Sequence, residues 1–282
     1  LPMMQAMPKI PAPRAYLDGL DIDDPATGAH YATMLEAKII HEGPETVLAF
    51  IQEPIGGAST GALMPPAGYM QAVREICDRY GGRTGKFMGA EHFGVEPDII
   101  ALSKGFGAGY APLGAMIAHD RLIDPVLDAG GFLHGHTYAG NPLACAAGLA
   151  VLEEIETAGL IQNAARVGAS LKARLENLMQ RFSFIGDVRG EGLLLAFELM
   201  SDRKTMQPLP KVLNAYTELV ERAYAEGLII YSRRTRGGVE GDHFLICPPM
   251  IVTEGQVDEI IDMLTIALDK FAASVGLAVD TV

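Results

Sequence analysis

Apolar residues recur at spacings of three and four through residues 66–80, at Tyr69, Met70, Val73, Ile76, Cys77 and Tyr80, which predicts an amphipathic helix with Pro66 near its start. Ala164, Val167, Leu171, Leu175, Leu178 and Phe182 form a second stripe, and Val257, Ile260, Ile261, Leu264, Leu268 and Phe271 a third. The third helix is predicted to open at Thr253, because Thr253-Glu254-Gly255-Gln256 has the reciprocal capping pattern. Residues 31–40 and the alanine-rich stretch after Asn141-Pro142 also read as helices. Short apolar runs at residues 47–51, 99–102, 114–118, 193–199, 228–231 and 243–247 read as strands. The run at 47–51, ended by Glu53-Pro54 and Gly56-Gly57, suits a strand buried on both faces of a parallel sheet. Prolines at 2, 8, 11 and 13 and the acidic run Asp21-Ile22-Asp23-Asp24 make the first two dozen residues an extended surface segment.

Strand and helix alternate in the first half, which predicts an α/β domain over residues 1–157. Residues 158–282 read as a smaller α+β domain. At 282 residues and 49% hydrophobic composition the chain has enough apolar material for a sizeable core. Its net charge of −13 argues against nucleic-acid and anionic-membrane partners, which reward basic patches, and favours a small-molecule substrate. Cys77, Cys145 and Cys247 stand far apart, without metal-ligand or paired spacing, so no metal site is expected and a reducing, cytoplasmic compartment is. No apolar stretch is long enough for a membrane span. The chain starts at Leu1 rather than methionine and is expected to begin inside a longer gene product.

Candidate chemistry centres on Lys104, placed between the apolar run Ile99–Leu102 and the glycines Gly105, Gly107 and Gly109. A lysine at the end of an apolar strand is either snorkelling to solvent or chemically committed, as an amine that forms a Schiff base is. Gln52-Glu53-Pro54 lies at a strand end, where α/β proteins place ligands, or is a plain turn. Residues 135–142 offer His136, Thr137 and backbone amides just before a helix, a place for an anion or simply a helix cap at Asn141. Arg233, Arg234 and Arg236 are either a solvated charge run or a clamp for a substrate carboxylate.

Taken in order, Glu53-Pro54, Gly82-Arg83-Thr84-Gly85-Lys86, Glu91-His92-Phe93-Gly94-Val95-Glu96-Pro97-Asp98-Ile99, Ser103-Lys104-Gly105, His136-Thr137-Tyr138 with Gly140-Asn141-Pro142, and Pro248-Pro249 resemble the class III pyridoxal-phosphate-dependent aminotransferases. The resemblance implies fold type I: a large domain with a mainly parallel sheet and a smaller C-terminal α+β domain. It implies pyridoxal 5'-phosphate held as a Schiff base on Lys104, which then moves the proton between substrate and cofactor as a general base. Thr137, together with His136, is implied to contact cofactor, with the Thr137 hydroxyl on the phosphate of a neighbouring subunit. A homodimer, or a tetramer built from dimers, with shared sites follows. Glu53 is implied to lie near substrate and to pair with an arginine, for which Arg233, Arg234 and Arg236 are the candidates.

Two departures from the family pattern matter. Gly81 runs directly into Gly82-Arg83, where the family has a buried strand whose aspartate keeps the pyridine nitrogen protonated. The earlier glycine-rich phosphate turn and the aromatic that stacks on the ring are also missing from the sequence. Losing a central strand would leave backbone groups unpaired, so the expectation is a longer gene product that contains both parts. The expected reaction moves an amino group from an amine or amino acid to a keto acid. An aminomutase or decarboxylase of the same fold, and a non-catalytic homologue without cofactor chemistry, remain as alternatives. A nucleotide site at residues 105–109 is disfavoured because Lys104 precedes the glycines instead of following them.

Overall fold

The computed structural model describes residues 7–47, 49–80, 93–95, 97–234 and 241–279. The 82–86 motif, Leu48, Glu91, His92, Glu96 and Arg236 lie outside the described residues.

In chain order the elements are α1 (Ala15–Asp18), α2 (Pro25–Glu42), α3 (Tyr69–Tyr80), β1 (Ile99–Leu102), β2 (Ala115–Ala118), α4 (Asp120–Asp128), α5 (Pro142–Thr157) and α6 (Leu160–Arg181). After them come β3 (Ile185–Glu191), β4 (Leu194–Asp202), β5 (Gln207–Pro208), α7 (Ala215–Ala225), β6 (Tyr231–Arg234), β7 (Asp242–Ile246) and α8 (Glu254–Val275). The chain divides into two compact units. One comprises residues 1–11, 28–51 and 68–160, the other residues 12–27, 52–67 and 161–282. The step from 160 to 161 lies three residues from the expected 157/158 boundary. Two amino-terminal stretches nevertheless pack with the C-terminal unit, because Tyr16, Ala58 and Gly61 hydrogen-bond to its sheet.

In the first unit β1 and β2 pair antiparallel, Ile99 opposite Ala118 and Leu102 opposite Ala115. Asp98, just before β1, accepts from Arg74 of α3 at 3.0 Å and from Arg121 of α4, so a single carboxylate ties β1 to two helices. Among the described residues of 47–51 no strand forms, and Ile51 is 91% exposed. The expectation of a mainly parallel sheet is likewise unmet among the described residues, where every strand pair is antiparallel. The physical reason is missing neighbours: an apolar run becomes a strand only beside another strand, and the sequence has none between Tyr80 and Gly82. The helix expected over 31–40 is longer, running from Pro25, because Asp24 accepts from the Ala26 amide and Pro25 needs no donor partner. The helix expected from Pro66 starts instead at Tyr69, after Gly68 at φ +76°.

The second unit is built on an antiparallel sheet of order β3-β4-β7-β6, with β5 on the outer end of β4. Strand β4 is central and buried along most of its length. On one side α6, α7 and α8 supply Leu171, Leu175, Leu219, Leu264 and Phe271, which meet Phe197 and Phe244 of the sheet. The Phe197 and Phe244 rings stack with centroids 5.0 Å apart. Each such fully buried side chain contributes roughly 1.5–3 kcal/mol over an exposed one. The predicted stripe of α6 faces this core, with Val167, Leu171 and Leu175 at most 1% exposed. The capping box at Thr253 is present in full.

Candidate active site

Lys104 follows β1 after a single extended residue, Ser103, and begins a 3-10 turn, Lys104–Phe106. Its φ is +55°, a left-handed conformation that costs a residue with a Cβ about 1 kcal/mol or more and that clusters at functional positions. Its side chain is exposed, and among the described residues no hydrogen bond or ion pair holds its amine. The expected burial of the preceding strand is not met: β1 alternates between exposed and half-buried positions. Gly107 is buried and sits against the Ala111 carbonyl so closely that a Cβ would collide with it. Gly105 has open space around its Cα. The amine is thus presented on a tight, constrained turn with room beside it.

Helix α5 packs against this turn. Gly148 provides the close approach, since a Cβ there would strike the Leu113 side chain and lie 3.5 Å from the Phe106 carbonyl. The turn at 137–140 leads into α5, and Asn141 caps it, its Oδ1 accepting from the amides of Leu143 and Ala144 at 3.1 Å each. Those two amides are therefore not spare for an anion, and the cap reading holds at Asn141. Thr137 and His136 are exposed, with the His136 ring set edge-on to His134 at 5.1 Å.

The second unit holds the other candidates. Glu53 accepts from the Gly57 amide at 3.0 Å, and among the described residues no ion pair joins it to an arginine. Arg234 lies 4.3 Å over the Tyr216 ring and 4.0 Å from the Asp242 carboxylate. Burial raises the Asp242 pKa and the Arg234 charge draws it back. Arg233 is exposed and stacks over Tyr231 at 4.8 Å.

The fold also assembles a group that sequence reading did not single out. Arg189 of β3 is 6% exposed and donates to Glu198 at 2.9 Å, to Asp187 at 2.6 Å and to the Gly61 carbonyl at 2.6 Å, with the Tyr16 ring 4.6 Å from its guanidinium. Burial works against its charge, but Tyr16, Glu198 and Asp187 outweigh burial and keep it a cation. Tyr16 donates to Glu198 at 3.1 Å. His243 of β7 is fully buried, its Nε2 3.0 Å from the Ala58 carbonyl. The available signal was Glu198 inside the apolar run Leu194-Leu195-Ala196-Phe197, a carboxylate that a buried strand tolerates only with a partner. A cavity of about 240 Å³ opens beside Tyr16 and Arg189, with Leu20, Ile22 and Leu63 on its apolar side. Among the described residues no cluster of three metal-ligating side chains occurs. No described helix is long and apolar enough to cross a membrane.

The family profile described as aminotransferase class-III matches residues 1–268. An uncharacterized aminotransferase, YodT, of Bacillus subtilis is 34% identical over 280 residues, which cover 93% of this chain and 62% of that protein. A taurine–pyruvate aminotransferase of Bilophila wadsworthia is 36% identical over 269 residues, covering 89% of this chain and 58% of the relative. Among solved structures, an amine transaminase from an uncultivated Pseudomonas species, in its PLP-bound internal aldimine form, superposes with a TM-score of 0.78 at 37% identity, over 88% of this chain and 58% of that one. The chain therefore spans about three fifths of the length of the relatives it matches.

Proposed function

We propose that this chain, which belongs to the class-III aminotransferase family and shares the fold type I architecture of its transaminase neighbours, carries the catalytic lysine of a pyridoxal-phosphate-dependent transaminase. The observation that carries the reading is Lys104 itself: an exposed amine, without a partner among the described residues, on a left-handed turn after β1 in the family's Ser-Lys-Gly setting. Pyridoxal 5'-phosphate is the cofactor of this family; when bound it supplies the electron sink for carbanion chemistry. The residues present suit its aldehyde end, since the Lys104 side chain is exposed and Gly105 leaves space beside it. Between Tyr80 and Gly82 the sequence has no carboxylate for the ring nitrogen.

In this reading Lys104 holds the cofactor, and its released amine moves the proton at the reacting carbon. The Thr137 hydroxyl binds phosphate beside His136. A homodimer with shared sites is supported by exposed apolar side chains flanking that turn, among them Phe132, Leu133, Tyr138 and Leu143. Glu53, with Arg234 or Arg233, contacts substrate. An amine or amino acid is the donor and a keto acid the acceptor, pyruvate first among those to try because the Bilophila relative is named for it. The protein is a cytoplasmic enzyme in this reading. Borohydride reduction of the pyridoxal-phosphate-loaded protein, followed by peptide mapping, tests it: the label belongs on Lys104, and a label elsewhere or none ends the proposal. Pyruvate-dependent loss of donor amine separates a transaminase from a mutase, which needs no second substrate.

A further inference from the structure

The segment that follows Glu53 is a hydrogen-bonded unit. The Glu53 carboxylate accepts from the Gly57 amide, and the Gly57 carbonyl accepts from the amides of Thr60 at 3.1 Å and Gly61 at 3.0 Å and from the Thr60 hydroxyl at 3.2 Å. Two side chains from the antiparallel sheet reach into this turn. Arg189 donates Nε to the Gly61 carbonyl, and the His243 Nε2 meets the Ala58 carbonyl. A carbonyl only accepts, so Nε2 carries a proton, and in the neutral ring that burial favours Nδ1 then carries none. Nδ1 is buried without a partner among the described residues.

Gly61 shows how tightly the turn is seated. Its φ is +67°, and a Cβ there would come within 2.6 Å of the His243 Cδ2 and 2.8 Å of the Arg189 Nη2. The neighbouring inward position on β7, Leu245, is apolar and packs with Ala62 and Ala196. An imidazole with one nitrogen left unbonded is a poor choice for filling such a place, so its use points to the one bond it makes. Arg189 is fully occupied by Glu198, Asp187 and the turn, which leaves it no free fork for a substrate.

We propose that Arg189 and His243 are positioning residues that seat the 58–61 turn and, through the Gly57 amide, aim the Glu53 carboxylate in the substrate site. This rests on Glu53 being the substrate-side glutamate of the transaminase described above. Glutamine at position 243 retains an N–H donor for Ala58, and leucine does not.

The test uses the pyridoxal-phosphate-loaded protein and four variants: His243→Gln, His243→Leu, Glu53→Gln and the His243→Leu/Glu53→Gln pair. His243→Leu is expected to raise KM for the amino donor or keto acid roughly tenfold, the size of one lost oriented hydrogen bond, with the cofactor absorbance retained. His243→Gln is expected to restore KM. In the Glu53→Gln background His243→Leu is expected to add nothing, because both act through one carboxylate. Equal effects in both backgrounds, or a glutamine variant no better than leucine, overturn the proposal. Gly61→Ala, whose Cβ presses on both anchors and lifts the same turn, is expected to raise KM in the same way. A wild type without amino transfer sinks the transaminase reading instead; the anchor is then read from hydrogen exchange of the 53–63 peptide, expected to be faster in His243→Leu than in His243→Gln. Equal exchange overturns it.

Discussion

Arg189 and Glu198 form a buried ion pair on adjacent strands, 2.9 Å apart, with side chains 6% and 1% exposed. A pair this buried contributes little net stability over apolar replacements, yet removing one partner strands a charge. Glu198→Ala is expected to lower the unfolding free energy by about 3–5 kcal/mol, and Arg189→Met with Glu198→Leu by much less than the sum of the single changes. Urea unfolding of the three variants decides it, and strict additivity would contradict the pairing.

His243 is expected to give the protein an acid-side dependence of stability. Burial and the charges of Arg189 and Arg233 hold its pKa below the ordinary histidine value, while its bond to Ala58 and the nearby Glu198 pull the other way. The unfolded chain therefore takes up this proton first as pH falls, so the contribution is complete above about pH 6.5 and is lost below it, at up to about 1.4 kcal/mol per pH unit. Unfolding free energies of wild type and His243→Gln between pH 7.5 and 5 are expected to diverge, with the glutamine variant flatter. Parallel curves would remove His243 from the account.

Glycine inside a helix ordinarily weakens it by about 1 kcal/mol relative to alanine. At Gly168 of α6 the sign reverses, because a Cβ would collide with the backbone of Gly192 in the β3–β4 turn. Gly168→Ala is expected to destabilise the protein by about 1–3 kcal/mol, as overpacking does. A rise in melting temperature would show that α6 stands farther from the hairpin.

Thr253 caps α8, accepting from the Gln256 amide at 3.3 Å while the Gln256 side chain accepts from the Thr253 amide at 3.0 Å. Thr253→Ala is expected to cost about 1 kcal/mol. Thermal melts check it, and an unchanged midpoint would mean that α8 is held by packing alone.

The proposal that Arg234 contacts substrate is tested by comparing two donor classes. With its guanidinium over Tyr216 and beside Asp242, it is held in place and partly open to solvent. If it clamps a carboxylate, Arg234→Ala is expected to weaken carboxylate-bearing donors by about 2 kcal/mol and to leave plain amines unchanged. A donor panel with one keto acid measures this, and equal losses for both classes would assign Arg234 a structural place only.

Much of the fold was legible in local pattern. The stripes of α3, α6 and α8 predicted their buried faces, Thr253-Glu254-Gly255-Gln256 predicted its cap, and Ile99–Leu102 followed by Lys104 predicted a strand ending in a turn. Helices α4 and α7 and strand β3 were not read, since α4 carries a proline, Pro125, and β3 alternates charge with glycine. Residues 47–51 were read as a buried strand from their apolar content, but Ile51 is exposed because a strand is defined by a neighbour and none pairs with this run among the described residues.

The chain by itself determined the faces and caps of these helices and the lysine turn, all of which depend on residues within a few positions of one another. Only the tertiary structure decided that Arg189 would grip Gly61, 128 positions away, that His243 would hold Ala58, 185 positions away, and that Tyr16 would close on Glu198. Periodicity records which side of an element is buried; it carries no information about which distant strand or loop will supply the partner. Those pairings are fixed by sheet order, where the cost of burying an unpaired charge selects the one arrangement that satisfies it.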